Sequence, residues 1–291
     1  MKERRITQPT AAQPGSFVLQ HKACRFVTVL LLLVFFFASH AKAKSFAVYD
    51  ALLHDDKPEL VSQGLKTITM VYANQLWDKQ ENRDVPNIQR IAKVAKGLNP
   101  GSLVCVDIEH WPLTGNAQLV QESIKKYEIV ASTIKKNNPT VLLGFYGALP
   151  IRDYWRAIRR EGEKNHSAWI AENEMLLPMA EFVDVIFPSL YTFYTDQKGW
   201  EQYAVENLSE AHKYGKPVIA FLWPRYHDSN LSMKQFNLPA DYWKLQLMTC
   251  FKHADGIVLW GGWKQKWDFH APWWFETERF LDSLTHGNPV K

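Results

Sequence analysis

Val104-Cys105-Val106-Asp107-Ile108-Glu109-His110-Trp111 begins as an apolar strand and ends in two acids and an indole. In extended chain, side chains two apart share a face. Cys105, Asp107 and Glu109 therefore point one way while Ile108 points the other. A strand covered by helices on its outer face and opening into a cavity at its C-terminal tip has this pattern, and such tips are where α/β barrels gather their chemistry.

Similar short runs of β-branched and aromatic residues recur at 45–50, 67–72, 103–109, 140–147, 183–191, 217–223 and 256–262. Between them lie amphipathic stretches, clearest at 117–137, where Val120, Ile124, Tyr127, Ala131 and Ile134 fall three or four apart, and at 199–213 and 239–253. Strand–helix alternation predicts a parallel sheet. The fold class expected is α/β: a distorted TIM-type (β/α) barrel with about seven or eight parallel strands, in a single domain over 44–291.

The first 43 residues read differently. Phe26–Ser39 is an apolar run preceded by Lys22 and Arg25 and followed by Ala41-Lys42-Ala43, the layout of a secretory signal peptide cut near Ala43. An uncleaved anchor is the alternative. Export to a secreted or periplasmic location is expected, with no membrane attachment after cleavage. The segment carries six basic residues and one acid of the chain's 34 and 30, so 28 and 29 remain. The basicity of the whole chain belongs to this segment, and no nucleic-acid surface is indicated. Cys105 and Cys250 alone remain beyond it, too few for a disulfide scaffold, so a large core must hold the domain.

Several other expected strands also end in aromatic side chains: Tyr146 in "GFYG", Tyr191 in "PSLY", Tyr226 in "WPRYHD" and Trp260 in "VLWGGW", with Trp111 beside the acids. A sugar offers flat C–H faces edged by hydroxyls, which aromatic walls and a few fixed polar groups suit. The partner expected is a polysaccharide or oligosaccharide. Taken singly, each aromatic is a core residue first, and the two acids could instead cap a helix and pair with an arginine. Their shared position at strand ends is what favours a site.

Two-carboxylate glycosidases set their acids on opposite sides of the sugar, whereas Asp107 and Glu109 approach from one strand. No acid lies near the end of the last strand, where "LWGGW" gives only Trp260 and Trp263, so a protein nucleophile lacks an evident candidate. Substrate assistance remains: a 2-acetamido group attacks the anomeric carbon, Glu109 protonates the leaving group and Asp107 orients the amide. The charge of Asp107 and a poorly solvated pocket are expected to favour the protonated form of Glu109. No cofactor is called for. A metal site built on Asp107, Glu109 and His110 is disfavoured, because His110 alternates to the other face and no zinc-type histidine spacing occurs. Cys105 fits a small core residue better than a nucleophile. A non-catalytic glycan-binding barrel is the alternative function.

These residues bear a family likeness. "VDIEHW" resembles the Asp-x-Glu-x-Trp segment of the hyaluronidase family of glycoside hydrolases, "LLGFYG" its Gly-Phe-Tyr-Gly strand, "IFPSLY" its Tyr-Pro-Ser-Ile-Tyr strand and "GIVLWGGW" its Val-Val-Leu-Trp strand, in the same order over roughly 100–263. The resemblance implies a barrel of about seven strands, retaining endo-type cleavage at N-acetylhexosamine through the acetamido group, and no metal. It implies Glu109 as proton donor, Asp107 as the acetamido-positioning aspartate, Tyr146 and Tyr191 as contacts to the acetamido group and reacting sugar, Trp260 as pocket wall, and Tyr226 as a further tyrosine. Two departures stand out. Pro112 follows Trp111 where the family has arginine, removing a guanidinium that could hold a uronate, and Asp153 lies later than the family's aspartate after Gly-Phe-Tyr-Gly. A remote relative of that family is expected.

Overall fold

The computed structural model describes residues 46–286 apart from Lys79, Arg160, Glu161 and Gln235, and the expected signal peptide at 1–43 lies outside the described residues. Among the described residues there are seven strands, which fall in six of the seven stretches expected: β1 (Ala47–Leu52), β2 (Lys66–Thr67), β3 (Thr69–Tyr72), β4 (Leu103–Asp107), β5 (Leu142–Phe145), β6 (Ile219–Leu222) and β7 (Gly256–Gly261). All their pairings are parallel. β1 lies between β2 and β7, β6 joins β7, and β4 lies between β3 and β5.

Two sequence expectations are modified. The strand expected at 67–72 is divided at Ile68, where the chain leaves β1 and takes up β4. The strand expected at 183–191 forms single bridges, Tyr146 with Phe187, Ile186 with Val218 and Ser189 with Phe221. Pro188 has no N–H to give to a ladder, so regular pairing is interrupted there. Its carbonyl still accepts from Phe221 N at 2.8 Å, and Leu190 N returns to Phe221 O at 3.0 Å. This irregular stave connects β5 to β6, and the pairings run round a ring.

Alternation sorts the side chains into two layers. Tyr49, Ala51, Met70, Leu103, Cys105, Tyr146, Val185, Phe187, Tyr191, Ile219, Phe221, Val258 and Trp260 fill the interior of the ring. The other parity, including Val48, Val71, Val104, Val106, Leu143, Ile186, Ala220, Ile257 and Leu259, belongs to a larger core outside it. That outer core is completed by α1 (Ala73–Leu76), α2 (Ile88–Lys96), α3 (Ala117–Asn137), α4 (Tyr154–Ala157), α5 (Lys164–Glu174), α6 (Gln197–His212), α7 (Ala240–His253) and α8 (Pro272–His286). None of the helices among the described residues is long and apolar enough to cross a membrane. Cys105 is fully buried in the ring and Cys250 is buried in α7, neither forming a disulfide.

α3 shows how local sequence and packing agree. Asn116 caps it by accepting from Gln118 N and Leu119 N. Val120, Ile124, Tyr127, Val130, Ala131 and Ile134 form its buried face. The Tyr127 hydroxyl donates to Ile108 O at 2.6 Å, tying the helix to the backbone just ahead of Glu109.

Inside the ring, Gly144 leaves room for Phe187. A methyl group at 144 would run into the Phe187 ring and the Val185 carbonyl. Backbone cannot give way cheaply in a close-packed interior, so Gly144→Ala is expected to destabilise the fold by about 1–3 kcal/mol or more. Urea unfolding checks this, and an unaltered midpoint would contradict the packing described.

Candidate active site

β4 delivers Asp107 as its last residue, opposite Tyr72 of β3. Glu109 follows two residues later, beyond a fully buried Ile108. Both acids line one cleft of about 200 Å³ at the C-terminal mouth, together with Met70, Tyr146, Arg152, Tyr191, Phe221, Trp223, His227, Asp228 and Trp260. Five of the seven expected site residues, Asp107, Glu109, Tyr146, Tyr191 and Trp260, thus meet in a single hollow.

Aromatic packing shapes its floor and wall. Tyr191 stacks on Trp260 with centroids 5.6 Å apart at 23°, and Trp223 stands edge-on to both. The Trp260 indole N–H donates to the Tyr72 hydroxyl at 3.3 Å. Tyr146 leans over Tyr191 at 5.8 Å, and its hydroxyl shares a 2.9 Å hydrogen bond with Ser189 Oγ. Arg152 Nη1 donates to the same Ser189 Oγ at 3.3 Å, while its Nη2 lies 3.9 Å from Glu109 Oε2. A polar chain therefore runs from Glu109 through Arg152 and Ser189 to Tyr146.

The two acids sit in different surroundings. The Asp107 carboxyl is pushed up to about 6, first by burial and second by the charge of Glu109. Glu109 does not occupy the poorly solvated pocket expected from the sequence, because its side chain is 57% exposed at the cleft edge. β4 ends at Asp107, and the chain leaves the ring before Glu109 is reached. Burial also pushes the Tyr146 hydroxyl up to about 12 and, with Asp107 second, raises the Cys105 thiol, leaving both in their neutral forms. His227 is held below the usual histidine range, by burial and then by Arg152.

Two expected site residues lie elsewhere. Tyr226 is 3% exposed and packs toward Tyr242 of α7. It belongs with Ala220 and Leu222 to the outer core, whereas Trp223 and His227, in the same loop after β6, line the cleft beside Phe221. Trp111 is buried against Trp77 and Tyr127, with its indole N–H donated to Arg83 O at 2.9 Å. It lines an adjoining hollow of about 310 Å³ that shares Glu109, Tyr146 and Arg152 with the first. His110 contacts the same Arg83 carbonyl, away from the two acids. Asp153 caps α4 and pairs with Arg156 at 2.7 Å, so it is a structural residue.

Arg152, Trp223, His227 and Asp228 were not singled out by the sequence. Arg152 matters in two ways, since it supplies a guanidinium to a cleft that lacks one after Trp111, and it faces Glu109. Asp228 supplies a third carboxylate, from the loop after β6. The signal available was proximity to strand ends: Trp223, His227 and Asp228 all belong to the run "WPRYHD". Among the described residues, no group of three or more His, Cys, Asp or Glu is placed to hold a metal ion.

No protein-family model and no curated protein matches the sequence. Solved structures do match. The chain is similar to bee venom hyaluronidase, with a TM-score of 0.56 and 14% identity over 83% of this chain and 97% of that one. It is likewise similar to bee venom hyaluronidase in complex with a hyaluronic acid tetramer, with a TM-score of 0.54, 15% identity and coverage of 82% and 96%. An endo-β-1,4-mannanase from Thermotoga petrophila follows at a TM-score of 0.52, 15% identity and coverage of 78% and 60%. At these identities the likeness is one of architecture, and the chain has the (β/α)-barrel fold on which these glycoside hydrolases are built.

Proposed function

We propose that the protein is an exported glycoside hydrolase that cleaves N-acetylhexosamine-containing glycans with retention, using the substrate's 2-acetamido group as nucleophile. The observation that carries this reading is the joint opening of Asp107 and Glu109 into a hollow walled by Tyr146, Tyr191 and Trp260. Glu109, at the exposed edge, is the group that gives its proton to the leaving oxygen and later takes one from water. Asp107, deeper and less solvated, accepts the acetamido N–H and sharpens the carbonyl oxygen's attack on the anomeric carbon. Tyr191 and Tyr146 offer hydroxyls toward the reacting sugar, and Trp260 supports its apolar face. The adjoining hollow beyond Glu109 gives room for the sugar on the other side of the scissile bond, as endo action requires. Export rests on the basic and apolar segment before Ala43.

Asp228 favours a second reading, a retaining enzyme in which that carboxylate attacks the sugar directly. Aryl glycosides of N-acetylglucosamine and N-acetylgalactosamine, compared with their 2-hydroxy analogues, separate the two. Substrate assistance expects turnover only with the acetamido sugars, and survival of that activity in Asp228→Asn. Equal turnover of 2-hydroxy sugars, abolished in Asp228→Asn, would establish the direct attack instead. Binding of glycans by wild type with no hydrolysis at all would leave a non-catalytic lectin-like barrel.

The tyrosines provide an internal control. Removing the Tyr191 hydroxyl takes a polar group from the cleft, and Tyr191→Phe is expected to lower turnover by about 10²-fold. Tyr226→Phe, altered on the outer layer, should leave turnover unchanged. The reverse order in steady-state kinetics would contradict the placement of the sugar.

A further inference from the structure

Two polypeptide segments that line the cleft continue outward into an exposed aromatic pair. Arg152 lines the cleft, and Trp155 follows three residues later at the start of α4; Tyr191 lines the cleft, and Tyr194 follows three residues later. Trp155 is 54% exposed and Tyr194 39%. Their rings lie 5.2 Å apart at 51°, and the Trp155 indole N–H donates to the Tyr194 hydroxyl at 3.1 Å. Two exposed aromatic rings in contact beside a cleft form a small apolar patch with a polar edge, the composition that ligand-binding surfaces use.

The pair is also held still. Tyr154, buried beneath, packs edge-on to both rings at 5.2 and 4.9 Å. The Tyr194 carbonyl accepts from the Tyr242 hydroxyl at 3.2 Å. Between the pair and the cleft lies Phe193, with Arg152 over its ring at 5.8 Å, the His227 ring 4.7 Å away, and its carbonyl accepting from Asn230 Nδ2 at 2.8 Å. Ring contacts thus run from His227 in the cleft to Phe193, from Phe193 to Tyr194 at 6.4 Å, and from Tyr194 to Trp155.

Resting on the glycosidase reading above, we infer that Trp155 and Tyr194 form a distal platform for a further sugar ring of the same glycan chain, several residues from the bond being cut. A rigid, half-exposed indole beside a tyrosine offers a flat apolar face with a hydroxyl at its edge, which matches a pyranose presenting C–H groups on one face and hydroxyls around its rim. Because the platform is already ordered, little side-chain entropy is lost when the sugar lands. Its occupant is an oligosaccharide long enough to reach it, so the platform selects chain length rather than the identity of the reacting sugar.

The test compares disaccharide and octasaccharide probes of chitin, hyaluronan and chondroitin, with affinity measured calorimetrically on Glu109→Gln and kcat/KM measured on the otherwise wild-type enzyme. Wild type should favour the octasaccharide, and Trp155→Ala or Tyr194→Ala should each reduce that length preference by up to about tenfold, equivalent to about 1.4 kcal/mol. An equal loss on short and long probes, or no length preference in wild type, overturns the platform. These outcomes are separable from failure of the catalytic reading. Length-dependent binding that Trp155→Ala weakens, without hydrolysis of any probe or aryl glycoside, would support the platform and remove the hydrolase. Hydrolysis that Glu109→Gln abolishes but that ignores chain length would do the opposite.

Discussion

Glu109→Gln is expected to lower kcat/KM on an N-acetylhexosaminide by about 10²–10⁴-fold, the usual worth of a positioned proton donor. The amide keeps the shape of the side chain and removes its capacity to give or take a proton. The loss should depend on the leaving group. A dinitrophenolate departs with little protonation and should be least affected, whereas an alkyl or sugar alcohol must be protonated as it leaves and should show the full deficit. The fold should be little changed, because the carboxylate is 57% exposed and its contact with Arg152 is a loose 3.9 Å. Ion pairs of that kind contribute about 0–1 kcal/mol, so the thermal midpoint should move by no more than about 2–4 °C. Steady-state kinetics over a series of aryl and alkyl leaving groups, with a melting curve alongside, decides the matter. A uniform loss across the series, or none, would take the proton-donor role from Glu109.

How far this site can be read from the amino-acid order depends on what alternation can and cannot carry. Period-two parity follows the chain through Leu103, Cys105 and Asp107, and through Val258 and Trp260, so the inward residues of regular strands were legible. Tyr226 lies beyond β6, which ends at Leu222, and it joins the outer core, whereas Trp223 and His227 turn into the cleft. Where the chain leaves the strand, parity loses its meaning. Trp111 has the same odd number as Glu109, yet it turns back under Trp77. Arg152 reaches Glu109 from a loop forty-odd residues away, and no local pattern reports a contact made by convergence of separate loops. The same limit applies to the fold. A run of β-branched residues announces a strand, but the change of partner at Ile68 and the bridges around Pro188 are decided by neighbours distant in sequence.

Asp107→Asn is expected to damage activity while stabilising the protein, in a way that depends on pH. In the wild type the Asp107 carboxyl is raised from 3.8 to about 6. A group whose folded-state value lies above its unfolded value binds more protons in the folded state. Stability therefore falls as pH rises between those two values, and the full penalty is present above about 6. A two-unit shift corresponds to about 3 kcal/mol, and residual solvent access reduces this to about 1–3 kcal/mol. Asparagine carries no such charge, so the variant should gain that margin near pH 8 and lose the advantage near pH 4. Catalysis moves the other way. The acetamido N–H needs an ionised acceptor, so wild-type kcat/KM should fall below about pH 6, and the variant should lose about 10²–10³-fold at neutral pH together with that acidic limb. Chemical denaturation at the two pH values, paired with a pH–rate profile, tests both halves. A stability difference independent of pH would mean that the buried charge is compensated elsewhere, and an unaltered acidic limb in Asp107→Asn would assign that ionisation to another group. The stabilising direction is the informative one: a residue kept for packing should not make the protein more stable when its charge is removed, whereas a residue kept for chemistry should.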